Sequence, residues 1–369
     1  NQGLHIDLDD HDAALSEILE EARHKPFAGI IGSDDSTVEL AAHAASLLNL
    51  PHNPPRAARL TRRKDMSRAH LMLAGCPVPT HCLVDLGKPL ADQTAGLPWP
   101  CVLKPLHMSA SRGVIRVNDE EEFNDACARI RSIIAGSGDD FERTHVLVEE
   151  YIDGVEVAYE GFLHEGELHT LTVFDKPDPM VGPYFEETIY VTPSTLDADT
   201  LEMIKLRVQQ ACTAFGLRTG PVHAELRVNA ENAWLLEVAS RTIGGDCART
   251  MDNGSSKSLE QLTVSLAIGE PVKPASIEGS RGVMMIPIRR AGLLRRVEGI
   301  LAAQKVPHVE RIDITISEGH ELVPLPEGNQ YLGFIFAQAD TPRQVTAALR
   351  QAHEKLTFVT APIIKLESA

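Results

Sequence analysis

Two glutamates, Glu225 and Glu237, fall on the two arms of a predicted β-hairpin, His223-Ala224-Glu225-Leu226-Arg227 and Trp234-Leu235-Leu236-Glu237-Val238. Counting outward from the turn Asn229 to Asn232 sets Leu226 to Val228 opposite Ala233 to Leu235. The two carboxylates then lie close together, one or two positions out of register. Both have apolar neighbours, where an unpaired carboxylate is costly. Two like charges held close call for a cation between them, and oxygen-only donors favour Mg²⁺, which takes its remaining ligands from water and phosphates. The competing arrangement is a set of exposed ion pairs, with Arg227 and Arg241 as partners.

Two features upstream suit a nucleotide. Lys104 ends an apolar strand and is followed by His107-Met108-Ser109-Ala110-Ser111-Arg112-Gly113. Small residues let backbone N–H groups turn toward an anion, and Lys and Arg add charge-assisted bonds. Taken alone, a lysine in that position is more often simply solvated. The second feature is Val146-Leu147-Val148-Glu149-Glu150-Tyr151-Ile152-Asp153-Gly154-Val155-Glu156, an apolar strand that reaches a carboxylate pair, breaks and restarts. Backbone groups freed at the break suit an adenine edge, and Glu156 suits ribose hydroxyls. The alternative is an edge strand with a solvated acidic bend.

The elements that must position these residues come in three parts. Helix patterns span Asp10 to Arg23 and Val38 to Leu50, around a short apolar strand Phe27 to Gly32, which predicts an α/β layer with parallel pairing. A short basic helix follows, Thr61 to Ala74, closed by Gly75-Cys76-Pro77. From about Pro100 to Ile268 strands dominate, with helices at Glu120 to Ala135 and Asp197 to Phe215. The composition shifts near Pro271-Val272-Lys273-Pro274, and short strands with a helix from Thr341 to Leu356 come after it. The chain starts at Asn1 with no strand before its first helix, which predicts that a strand-helix segment is missing at this end.

A length of 369 residues calls for two or three domains, and 43% hydrophobic with 24% charged residues is ordinary for a globular protein. The net charge of −17 argues against a nucleic-acid partner or an anionic-membrane surface, both of which need a basic face. Six scattered cysteines without a CxxC pair predict reduced thiols and a cytoplasmic protein, with no zinc site. No apolar run approaches the roughly 18 residues that span a bilayer.

In order along the chain, a lysine with a small-residue cover, an adenine-type hinge and a carboxylate hairpin ending in Ser240-Arg241-Thr242-Ile243-Gly244-Gly245 resemble the ATP-grasp superfamily. The segments Asp175-Lys176-Pro177, Gly182-Pro183-Tyr184-Phe185-Glu186-Glu187-Thr188, Pro193-Ser194 and Gly220 to Glu225 resemble its L-amino acid ligase branch. The resemblance implies an α/β and α+β multidomain chain. Residues 1–88 would form an incomplete α/β pre-ATP-grasp domain, 89–272 the ATP-grasp domain, and 273–369 a C-terminal α+β domain. It implies ATP and Mg²⁺, with Mn²⁺ as a substitute, and small-molecule carboxylate and amine substrates joined through an acyl phosphate.

Position by position, the resemblance implies that Lys64 and Lys104 contact phosphates, and that Ser109, Ser111 and Gly113 close over them. Glu149 to Ile152 would hold adenine, Glu150 and Ile152 through main-chain atoms and Tyr151 as an aromatic wall, with Glu156 on the ribose. Glu225 and Glu237 would hold metal, Arg241 with His223 would stabilise the transferring phosphoryl group, and Glu187 would meet a substrate ammonium. Two departures stand out: Ala239 where many members carry a metal-ligating Asn, and a single Gly113 in a loop that is glycine-rich elsewhere. Rival readings are a carboxylase or nucleotide-biosynthesis ligase of the same superfamily, and a nucleotide-binding regulator without turnover. A homodimer is the default assembly.

Overall fold

The computed structural model describes residues 3–8, 10–252, 257–270, 272 and 279–363. The composition shift at 271–274 lies outside the described residues apart from 272. Before residue 81 come four helices: α1 (His11–His24), α2 (Val38–Leu47), α3 (Pro55–Arg62) and α4 (Lys64–Leu73). The basic helix expected at Thr61 to Ala74 is thus two helices, broken at Arg63, whose φ and ψ of −93° and 102° are extended. The strand expected at residues 27–32 is absent, and so is its parallel pairing. The cause is a long-range contact: a Cβ on Gly29 would come within 2.6 Å of the Ala267 carbonyl oxygen, so this segment packs on a later helix, not a sheet edge.

Every ladder between the named strands is antiparallel. A four-stranded sheet has the order β1-β4-β2-β3, from β1 (His81–Asp85), β2 (Cys101–Pro105), β3 (Ile115–Val117) and β4 (His145–Glu150). Helix α5 (Glu120–Ile134), capped by Asp119, lays Phe123, Ile130 and Ile134 on it. Short α6 (Asp140–Thr144) leads into β4. This small layer has its own core.

The second sheet has eight strands in the order β12-β14-β10-β7-β6-β5-β8-β9. Its first half is β5 (Val155–His164), β6 (Glu167–Asp175), β7 (Ile189–Thr192), β8 (Gly220–Val228) and β9 (Ala233–Ala239). Helix α7 (Ala198–Phe215) covers one face of β5, β8 and β9. Past α8 (Ala248–Met251) and α9 (Leu259–Ala267), β10 (Ser280–Ile286) pairs with β7, so the sheet is continuous across residue 272. The remaining elements are β11 (Gly292–Glu298), α10 (Ile300–Ala303), β12 (Val309–Ile314), β13 (Glu321–Leu322), β14 (Gly333–Ala339), α11 (Pro342–Glu354) and β15 (Thr357–Ala361). Helix α11 has a Thr341/Gln344 capping box and buries Val345, Ala348, Leu349 and Ala352, a spacing that puts all four on one face. No described helix is long and apolar enough to cross a membrane.

One buried ion pair holds the two sheets in register. Arg68 of α4, 2% exposed, binds the Glu149 carboxylate of β4 and donates to the carbonyls of Leu235 at 2.9 Å and Leu236 at 2.6 Å in β9. Glu149 also accepts from Lys104 at 2.5 Å. Burial raises the carboxyl pKa, but the Arg68 and Lys104 charges outweigh it and bring it down to about 2. A depressed carboxyl contributes stability above its unfolded pKa and loses it as pH falls toward the folded value. Protonation between the ordinary 4.5 and about 2 should therefore cost on the order of 3 kcal/mol. Arg68→Met, which removes one of the two cations on buried Glu149 and leaves Lys104 alone with it, should lower unfolding stability by about 3 kcal/mol in urea. A loss below about 1 kcal/mol would dismiss this pair as a fold element.

Candidate active site

The alternation of β5 and β8 separates core from chemistry. Val157, Tyr159, Ala224, Leu226 and Val228 point into the apolar core under α7. The other face pairs Glu156 with Arg227, Ala158 with Glu225, and Glu160 with His223 across the ladder. Ala158 is fully buried, and its small side chain leaves room beside Glu225. In β9 a bulge shifts the register: Leu226 faces Leu235, but Glu225 faces Glu237 directly. The one-or-two-residue offset expected from the turn is thus cancelled by one extra residue, Leu236. Both glutamates line one cavity of about 320 Å³ together with Lys64, Lys104 and Arg241.

At the phosphate end, Lys64 opens α4 and donates to the Met108 carbonyl at 2.8 Å, with its ammonium 3.2 Å from Glu237. Ser109, Ala110 and Ser111 line the cavity, and the last two adopt φ of +54°. The N–H groups of these three residues have no acceptor among the described residues. Successive free amides in such a turn make an anion-binding concavity. Gly113 corrects the expectation: it does not line the cavity, and its N–H is given to the Pro326 carbonyl at 2.9 Å. Its φ of +72°, with Pro105 Cγ 2.6 Å from an added Cβ, explains the glycine.

At the hinge, the Glu150 and Tyr151 amides are used by the carbonyls of Thr80 and Pro100, whereas the Ile152 N–H has no acceptor among the described residues. That leaves the Ile152 N–H free to donate to a ligand in a cavity it lines together with Val102, Met180, Phe185 and Leu236. The Tyr151 ring is engaged by guanidinium groups, Arg116 at 4.1 Å and Arg227 at 4.9 Å from its centroid, so it is no bare wall. Glu149 is an ion-pair anchor more than a nucleotide contact, being 1% exposed between Arg68 and Lys104. Glu156 accepts from Lys176 at 2.8 Å and Arg227 at 3.1 Å, so a ribose hydroxyl would share its oxygens.

Lys176 is the residue that sequence reasoning used only as part of a motif. Its ammonium lies 2.8 Å from Glu156, 2.9 Å from Glu187 and 2.9 Å from Glu225. These three carboxylates could by themselves chelate a metal, since ligand atoms lie within 4.8 Å of one another, but the ammonium sits among them. Burial opposes every charge here. The carboxylates nonetheless hold Lys176 well above its ordinary pKa, and Lys176 holds Glu225 well below, whereas burial pushes Glu187 up. Glu187 also accepts from Tyr190 at 2.8 Å and Tyr331 at 3.3 Å, neither foreseen.

Arg241 is held in a fork by Asp35, at 2.7 and 2.8 Å, and donates to the Thr242 carbonyl at 3.0 Å. Three of the five guanidinium N–H groups are used, which leaves two for a ligand. Glu237 lies 3.9 Å away, so the competing Arg–Glu ion pair of the sequence is partly realised beside the cavity. His223 Nδ1 meets Glu160 at 3.2 Å, and Glu160 also accepts from the Ile243 amide at 3.1 Å. Burial disfavours the imidazolium, but hydrogen bonds to Glu160 and Glu225 raise its pKa to about 9. Asp35 and Glu160 went unforeseen. Glu160 left a signal, because Glu156 and Glu160 share one strand face at even spacing.

The donor set suits a hard cation. Glu225 and Glu237 offer only oxygen atoms, face each other across the bulge, and border the concavity of free amides.

Residues 97–250 match the family described as ATP-grasp domain, and residues 284–361 match the L-amino acid ligase C-terminal domain 2. The fold is close to the crystal structure of an L-amino acid ligase from Bacillus licheniformis, with a TM-score of 0.84 and 26% identity, over 96% of this chain and 86% of that one. The alanine–anticapsin ligase of Bacillus subtilis is 28% identical over 258 residues, 64% of this chain and 54% of that protein. Carnosine synthase 1 of Gallus gallus is 28% identical over 311 residues, 80% of this chain and 33% of that protein. The chain therefore spans about half the length of the first relative and a third of the second. It is a multidomain chain with an ATP-grasp fold, carrying an ATP-grasp domain and an L-amino acid ligase C-terminal domain. In both domains it is similar to the L-amino acid ligase-like branch, and the relatives named here are ligases and a synthase.

Proposed function

We propose that this protein is an ATP- and Mg²⁺-dependent carboxylate–amine ligase acting on an amino acid through an acyl phosphate, in the cytoplasm. The observation that carries the reading is the direct pairing of Glu225 with Glu237 on the wall shared with Lys64, Lys104 and Arg241. Six free cysteines support a reducing compartment. Glu225 and Glu237 would hold Mg²⁺, which when bound supplies positive charge to offset that of the phosphates. Domain limits at 88 and 272 remain our division of the chain.

In this mechanism Lys64, Lys104 and the amides of Ser109 to Ser111 position the phosphate tail, while the Ile152 amide fixes the base. A substrate carboxylate oxygen attacks the γ-phosphorus, the bond to the bridging oxygen breaks, and ADP leaves. Arg241, held in place by Asp35, directs its two remaining N–H groups at the charge that develops. The His223 imidazolium adds a second positive charge beside Glu225. An amine then attacks the activated carbonyl, phosphate departs, and the nitrogen loses its proton. In this reading Glu187, which Tyr190 and Tyr331 hold by donating to it, would accept from a substrate ammonium.

Phosphate release measured against a panel of single and paired amino acids tests the reading. Release that needs both a carboxylate and an amine is expected. Release driven by bicarbonate would point to a carboxylase, and no release with any pair, despite nucleotide binding, to a regulator.

A further inference from the structure

The phosphate cover is fastened from its outer side by a loop more than two hundred residues further along the chain. Gly113 gives its N–H to the Pro326 carbonyl at 2.9 Å, and Arg112 Nε donates to the Glu327 carbonyl at 2.9 Å. The Glu327 carboxylate accepts a fork from Arg129 of α5 at 2.5 and 2.9 Å. Arg129 in turn donates to the Tyr184 hydroxyl, and its guanidinium lies 5.1 Å from that ring's centroid. The adjoining strand β3 is docked on the same side, where the Arg116 amide donates to the Pro183 carbonyl at 2.8 Å. The loop itself is compact: Gly328 donates to the Pro324 carbonyl at 2.9 Å, and a Cβ on Gly328 would fall 1.9 Å from the Val323 carbonyl oxygen.

We propose that the Pro324–Gly328 loop is a latch that sets how tightly the cover formed by Ser109 to Ser111 closes on phosphates, with Glu327 as the positioning residue that holds the four-stranded layer down. The inference rests on the ligase reading for its consequence but not for its geometry. Glu327 does not line the cavity. It acts by joining two contacts: the Arg112 side chain beside the cover through its carbonyl, and the helix behind the cover through its carboxylate. Without the carboxylate, Arg129 loses its forked partner, and the carbonyl that holds Arg112 is no longer fixed in place. The cover's outward hydrogen bonds then open more often. An open cover grips the phosphate tail less and admits water to an acyl phosphate.

The test compares the full chain with Glu327→Ala, Glu327→Gln and the charge-exchanged pair Glu327→Arg with Arg129→Glu. Hydrogen exchange of residues 107–117 is read first, without nucleotide. The latch predicts slow exchange at Gly113 in the parent chain and exchange faster by about tenfold or more in Glu327→Ala and Glu327→Gln, with partial recovery in the exchanged pair. In turnover it predicts a KM for ATP raised about tenfold with kcat little changed, and more than one phosphate released per amide bond formed. Unaltered exchange at Gly113 in both single variants overturns the latch, as does a loss of kcat at constant KM. Exchange needs no turnover, so a chain that failed to ligate would sink the ligase reading and leave the latch to be judged on protection alone.

Discussion

Glu237→Gln is expected to reduce ATP-dependent amide formation by about a thousandfold or more while leaving the fold intact. The substitution keeps the side chain's size but removes one of the two carboxylates paired across the β9 bulge. Glu237 stands 3.2 Å from Lys64 and 3.9 Å from Arg241, both of which survive the change and gain freedom to meet phosphate directly. Nucleotide binding should therefore weaken less than turnover. The defect should also ease in part as Mg²⁺ is raised, because a weakened site fills by mass action. Phosphate release at graded Mg²⁺, beside a urea melt of the same protein, makes the check. Parent-like turnover at ordinary Mg²⁺ removes Glu237 from the metal site and withdraws the main support of the proposed activity.

Arg241→Ala should cost about a hundred- to a thousandfold in kcat with little change in KM for ATP. The guanidinium is pinned by Asp35 and Thr242 before any ligand arrives, so its two remaining N–H groups need no reorganisation at the moment of phosphoryl transfer. Its proximity to Asp35 raises its pKa further, so the charge does not titrate in any working range. Arg241→Lys should recover little, because an ammonium cannot both fill the Asp35 fork and present two parallel donors to a ligand. A lysine variant within threefold of the parent would show that a point charge suffices there, and would move the transition-state role elsewhere.

The residues that line the cavity were legible because several carry a local signature. Lys104 ends an apolar run, Ser109 to Ser111 are small residues beside it, and the two glutamates stand within one position of matched distances from a turn. Period-two alternation also placed β4, β5, β6, β8 and β9 within a residue or two, since one face of each must be buried. What failed was of another kind. Residues 27–32 have the composition of a strand, yet a strand needs a partner ladder, and Gly29 packs on Ala267 instead. Gly113 has the composition of a phosphate loop, yet its amide is claimed by Pro326. Neither outcome is encoded within ten residues of the site where it appears.

By itself, then, the order of residues determined the strand faces, the caps and the inventory of charges, because these follow from backbone periodicity and local hydrogen bonding. It did not determine the pairings. The bulge at Leu236 that brings Glu225 opposite Glu237 is decided by how one hairpin packs, and the ammonium of Lys176 among three carboxylates, the Asp35 fork on Arg241 and the Glu327 hold on Arg129 join separate segments of the chain. A buried charge must find its partner wherever the packed chain brings one within reach, and only the tertiary structure decides which partner that is.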